Sequence, residues 1–280
     1  MKVCFKIALA SVACFASAGQ RSVDGEEALS RFQSLLRRGG VTGTLDVESL
    51  SQTRDVPYYA KTKLWQIGVK SGNETWSGNV DEHGRVRYVC ASFLSGGPVP
   101  KLTQAQIDHK AWSMLQKLGD HPPVYLQTAQ LDGPVIMATF KMSTNGLRLF
   151  NLNPLYGYIV KFTPSGKLTY LIDEAESLMP NAKSPKVTEA AARSMLEKHK
   201  DIVEAKHRSE KFVEMTHATW GMKAELGYYK LPGESKARLV WRGSLTQTIS
   251  GHTHEQMEVP SLIDAVTGKS FTPDYNSSQR

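Results

Sequence analysis

Two imidazoles within His252-Thr253-His254-Glu255 are the residues of this sequence whose types and spacing come nearest to chemistry. On a strand, positions two apart share a face, so both rings could meet one metal ion. A zinc centre takes three or four protein ligands, and no third candidate stands at a matching spacing. The pair therefore reads as the tip of a hairpin. His254-Glu255-Gln256-Met257-Glu258 opens like the zinc-protease pattern H-E-x-x-H, but its fifth residue is Glu258, and Pro260 opposes the helix that pattern requires. Asp81, Asp173, Glu174, Glu176 and Asp264 are scattered, and nothing selects two of them as a glycosidase pair. No G-x-S-x-G elbow and no phosphate loop is present, and Gly39-Gly40-Val41-Thr42-Gly43 reads as a helix stop. Cys90 alternates with Tyr88 and Val86 and reads as a small buried hydrophobe. No catalytic, cofactor-binding or metal residue is assigned, and the binding residues stay open.

The elements that would position any site are clearer. Asp24 with Glu27 predicts a helix over 24–38 with Ala28, Phe32, Leu35 and Leu36 on one stripe, stopped by Gly39-Gly40. Thr103 with Gln106 opens a second helix that buries Ile107, Ala111, Met114, Leu115 and Leu118. Thr188 opens a third over 189–199, with Ala192, Met195 and Leu196 inward.

After each helix the pattern changes to strands. The first set is 64–70, 75–81 and 85–93, preceded by polar connecting sequence that contains Pro57. The second is 124–130, 135–142, 156–162 and 167–172. The third is 212–220, 223–229 and 238–246, then a polar turn near Ser250-Gly251-His252 and a strand ending at Asp264. Gly146-Leu147-Arg148 fits no element. Each set closes on a tight turn with a glycine, at Gly84, Gly166 and Gly268. The five tryptophans, Trp65, Trp76, Trp112, Trp220 and Trp241, read mostly as core.

Breaks at Ser95–Pro100 and Pro180–Pro185 divide the chain into segments 19–97, 98–180 and 181–280. The fold class is α+β: tandem modules, each a helix laid on an antiparallel sheet. Before them, Met1-Lys2 and Lys6, the apolar run Ile7–Phe15 and Ala16-Ser17-Ala18 form a cleavable signal peptide over 1–18, with cleavage near Ala18. The protein is thus expected to be secreted or periplasmic. Cys4 and Cys14 leave with that peptide, so Cys90 remains alone and no internal disulfide forms. The net charge is +7, about +5 after removal of two signal lysines, and dispersed; no run suits nucleic acid, and no segment spans a membrane.

Thr188-Glu189-Ala190-Ala191, the Leu239-Val240-Trp241 strand and Ile263-Asp264-Ala265-Val266-Thr267-Gly268-Lys269 together resemble the PepSY and FTP families. These are small domains of thermolysin-type propeptides and of many secreted bacterial proteins. Thr103-Gln104-Ala105-Gln106 and Asp81-Glu82-His83-Gly84-Arg85-Val86 look like weaker copies. The resemblance implies a cystatin-like fold and a non-enzymatic role, binding or modulating a peptidase or another envelope protein. A small-ligand or cell-wall binding module is the alternative. Thr163 stands where the hairpin aspartate would be, so the second turn need not match the others.

Overall fold

The computed structural model describes residues 22–53, 63–92, 99–150, 156–175, 179–198, 219–231, 234–249 and 252–271. The signal peptide, the expected strand residues 212–218, the Ser250-Gly251 turn and the tail from Asp274 lie outside them.

Helix α1, Gly25–Arg38, starts at Asp24, whose carboxylate accepts the Glu27 N–H at 2.9 Å. Glu26 and Glu27 in its first turn and Arg37 and Arg38 in its last complement the helix dipole. Ala28, Phe32, Leu35 and Leu36 are buried, as their spacing requires. Helix α2, Gln104–Leu118, carries a full capping box between Thr103 and Gln106. The first two strand sets merge. Strands β1 (Asp46–Thr53), β2 (Leu64–Ser71), β3 (Glu74–Asp81) and β4 (Val86–Ala91) continue into β5 (Val124–Asp132), β6 (Val135–Thr144), β8 (Gly157–Phe162) and β9 (Leu168–Asp173). Their order in one nine-stranded sheet is β1-β2-β3-β4-β9-β8-β6-β5, with the two-residue β7 (Leu147–Arg148) paired to β6. Each helix precedes four strands of this path, so the order reads alike from either end. The seam is antiparallel, with Tyr88 opposite Ile172, Val89 opposite Leu171 and Cys90 opposite Tyr170. Both helices feed one apolar core that includes Phe32, Leu36, Trp76, Met114, Phe140 and Leu171.

The third helix, α3 (Glu189–Glu197), packs on β11 (Thr219–Tyr229), β12 (Lys236–Ile249) and β13 (His252–Asp264). The last strand, β14, is Ser270–Phe271, and β10 (Met179–Pro180) joins β12 in parallel. Strand β12 is buried on both faces along Leu239-Val240-Trp241. Leu239 and Trp241 belong to the main core, and the Trp241 indole N–H reaches the Val187 carbonyl at 3.0 Å. Val240 packs with Phe150, Tyr229 and Leu262. Tyr228 fastens this sheet to the first one. Its carbonyl accepts the Phe150 N–H at 2.8 Å, while its phenol accepts from the Asn145 amide at 3.0 Å and donates to the Ala182 carbonyl at 2.9 Å.

Four expectations need correction. The stretch before Leu64 is not wholly connecting sequence, because it contains β1. The register runs unbroken from Trp220 to Lys223, so the two strands expected around Gly221-Met222 are a single strand, β11. Gly146-Leu147-Arg148 belongs to an Asn145-Gly146 hairpin, with φ of +49° and +74°, the geometry that dipeptide favours. The break expected at Pro180–Pro185 begins inside the short strand β10.

Candidate functional site

The three glycine turns share a construction. The N–H of Asp81 bonds the Arg85 carbonyl and the Gly84 N–H returns to Asp81; Thr163 with Lys167 and Gly166, and Asp264 with Lys269 and Gly268, repeat both bonds at 2.8–2.9 Å. The Asp81 carboxylate also holds the N–H groups of His83 and Arg85, and Asp264 those of Val266 and Thr267. Thr163 does this with its hydroxyl, which accepts the Lys167 N–H at 3.1 Å. The Thr163 turn therefore matches the Asp81 turn, with one side-chain oxygen sufficient to hold it, and the Asp264 turn is one residue longer.

Beside the first turn, two arginines cross the seam. Arg85 donates its Nε to Asp173 Oδ2 at 2.6 Å and a second, short bond to Oδ1, and reaches the Tyr158 hydroxyl at 3.4 Å. Arg87 donates to Asp81 at 2.7 Å. Asp81 and Asp173 are buried, so each carboxylate is consumed by an ion pair across the hairpin and strand ends. Burial pushes the Asp173 carboxyl above the usual range although Arg85 pulls it down. Burial, aided by the Asp173 charge, pushes the Tyr158 phenol up to about 12.

Above this network lies a cleft of about 750 Å³ between α1, the β3–β4 turn and the end of α2. One wall is the α1 stripe of Ser30, Arg31, Ser34 and Arg38. The other is Gly119, Asp120, His121 and Pro122, with His83 and Gly84 at the turn. Leu35, Val86, Leu118 and Tyr158 supply its apolar floor. Both arginines lie over glycines. A Cβ on Gly84, φ +79°, would stand 2.6 Å from Arg31 Nε, and one on Gly119 would stand 3.0 Å from Arg38 Nη1. Arg31 is paired with Glu27 at 2.6 Å, whereas Arg38 has no ion pair among the described residues.

A second exposed feature is the sheet edge. Every residue of β1 but the last is exposed, with Val47 at 48% and Leu50 at 39%. A bulge between Val47 and Ser49, together with Asp46 and Glu48, guards its first half. Leu50–Thr53 carries neither bulge nor charge and, among the described residues, has a partner strand on one side only.

The residues singled out in sequence fall elsewhere. His252 and His254 lie on β13 opposite Ile249 and Gln247, and their side chains are outside the described residues. Among the described residues no three His, Cys, Asp or Glu side chains converge as metal ligands. Trp76 is fully buried and Trp65 and Trp112 half-buried against the core; Trp112 meets Phe140 edge-on at 5.0 Å. Cys90 is half-buried rather than buried, on the strand at the seam. Arg31, Arg38, Arg85 and Tyr158 were not found by sequence reasoning. The available signal was the seven-residue spacing of Arg31 and Arg38, which puts both on one helix face.

No family model and no curated protein matches this chain. Among solved structures, its fold is similar to the Bacillus megaterium YpeB C-terminal domain, with a TM-score of 0.54 over 90% of this chain and 99% of that one, at 13% identity. That likeness concerns the fold, an α+β arrangement with mostly antiparallel sheets. No helix among the described residues is long and apolar enough to cross a membrane.

Proposed function

We propose that this chain is a secreted, PepSY-like protein of three helix-on-sheet modules, without enzymatic activity, that binds or modulates a peptidase or another envelope protein. An extended segment of the partner adds to the sheet at β1. The observation that carries the reading is the edge itself: an eight-residue strand, exposed in all but its last residue, whose second half, among the described residues, keeps none of the devices that block pairing. Main-chain hydrogen bonds would supply affinity, and Val47 and Leu50 the side-chain contacts. The helix-then-strands order, found three times, and the fold likeness support the PepSY-like part.

The test is capture and inhibition with peptidases from the same secretome. The expected result is that the purified chain retains or slows one of them, that Leu50→Asp weakens the effect at least tenfold, and that the melting temperature of the variant is unchanged. A chain that neither captures nor slows any of them sinks the reading. The small-ligand or cell-wall alternative draws on the cleft, lined by arginine, histidine and serine with Tyr158 as its aromatic group.

A further inference from the structure

We propose that the cleft between α1 and the end of α2 binds a small organic oxyanion, a carboxylate or a phosphate monoester, with Arg38 as its charge partner. This does not depend on the β1 edge. The volume of about 750 Å³ lies within the range of small-molecule sites, about 300–1,000 Å³. The lining leaves one guanidinium without an ion pair among the described residues. Of the lining cations, Arg85 is spent on Asp173 and Arg31 on Glu27, which leaves the guanidinium of Arg38, with Asp120 as the lining carboxylate outside those pairs. Guanidinium is the side chain best shaped to grip a carboxylate or phosphate through two parallel hydrogen bonds. Gly84 and Gly119 hold positive φ, and their missing side chains leave room for the guanidinium groups of Arg31 and Arg38. The floor of Leu35, Val86, Leu118 and Tyr158 suits the apolar body of an organic anion better than a bare inorganic ion.

His83 and His121 also line the cleft and can report on a ligand bound there.

The experiment follows the ring signals of His83 and His121 by NMR in the chain from Gly19 onward, titrated at a single pH with benzoate, phenyl phosphate and uncharged benzyl alcohol. The expected result is a saturable shift with at least one anion. It is weakened at least tenfold in Arg38→Gln and only partly restored in Arg38→Lys, which keeps the charge and loses the fork. Whichever anion binds more tightly identifies the head group. Absence of saturation with both anions, equal affinity for benzyl alcohol, or unchanged affinity in Arg38→Gln overturns the proposal. Arg38 is exposed on the last turn of α1, so its replacement leaves the core intact.

Discussion

Two corners of the nine-stranded sheet occupy matching places, and one is shut while the other is open. Each consists of a helix stripe, the hairpin turn that follows it, and the end of the other helix. At the shut corner, Lys110 and Lys117 of α2 lie along the Gly166 turn, Lys110 bonding the Pro164 carbonyl at 3.0 Å. The end of α1 closes it: Leu168 donates its N–H to Gly39 at 2.6 Å, and Gly40 rests against the Gly166 carbonyl. Lys167 pairs with Glu74 and covers the Trp76 ring at 5.8 Å. At the open corner, Arg31 and Arg38 take the places of the two lysines, seven and fourteen residues after their cap. Arg85, in the place of Lys167, turns to Asp173 and Tyr158. The difference teaches that strand topology does not hold the cleft open. Side chains do: one arginine is drawn down to a buried carboxylate, and two others stand over glycines where backbone could have met backbone.

The largest test of that contrast is Gly40→Ala. Its φ of +81° strains any other residue, and the new Cβ would press on the Gly166 carbonyl, which cannot retreat. A loss of about 3–4 kcal/mol is expected from the urea midpoint. Arg85→Ala comes next. It leaves Asp173 buried without its main partner, and a loss of about 3 kcal/mol is expected at neutral pH. If the network is merely decorative, that loss stays under about 1 kcal/mol.

Tyr158 gives a pH signature of similar size. Its folded pKa is about 12 against 10.0 for the free phenol. Between those values the unfolded chain releases a proton that the folded one keeps, so stability fully present below pH 10 is lost as pH rises to 12. The loss is about 2–3 kcal/mol. Denaturation at pH 9, 11 and 12 should show a shallower decline in Tyr158→Phe; parallel curves would mean that the phenol is not held as described. The smallest effect is Gly84→Ala, where the obstacle is the tip of the flexible Arg31 side chain, so about 1–2 kcal/mol is expected, mostly backbone strain. A loss equal to that of Gly40→Ala would erase the distinction between the corners.

Much of the frame was legible because its signals are local. The caps at Asp24, Thr103 and Thr188, the apolar stripes of α1 and α2 and the three turn glycines follow from residue chemistry within a few positions. Strand β1 was not legible. An edge strand buries neither face, so DVESLSQT carries no alternation to read. The Asn145-Gly146 dipeptide carries a hairpin signal, but the two-residue β7 after it is too short to show alternation. The cleft lay beyond reach for another reason: its floor joins Arg85 to Asp173, 88 residues apart, across a seam between strands that no local pattern pairs. The histidines at 252 and 254 attracted notice by type and spacing, whereas Arg38 drew none, since a basic residue ending a helix is already explained by the dipole.

The seam has a consequence for any attempt to divide this molecule. The Ser95–Pro100 break invites a cut there, yet a fragment ending at it would leave β4 bare. Val89 and the main-chain groups that face Leu171 would then be offered to solvent. Because the sheet reads alike in both directions, the best substitute for the missing half is a second copy of the fragment. Residues 22–92 alone are thus expected to elute as a two-fold dimer or to aggregate, and the intact chain is in effect such a dimer tied into one polypeptide.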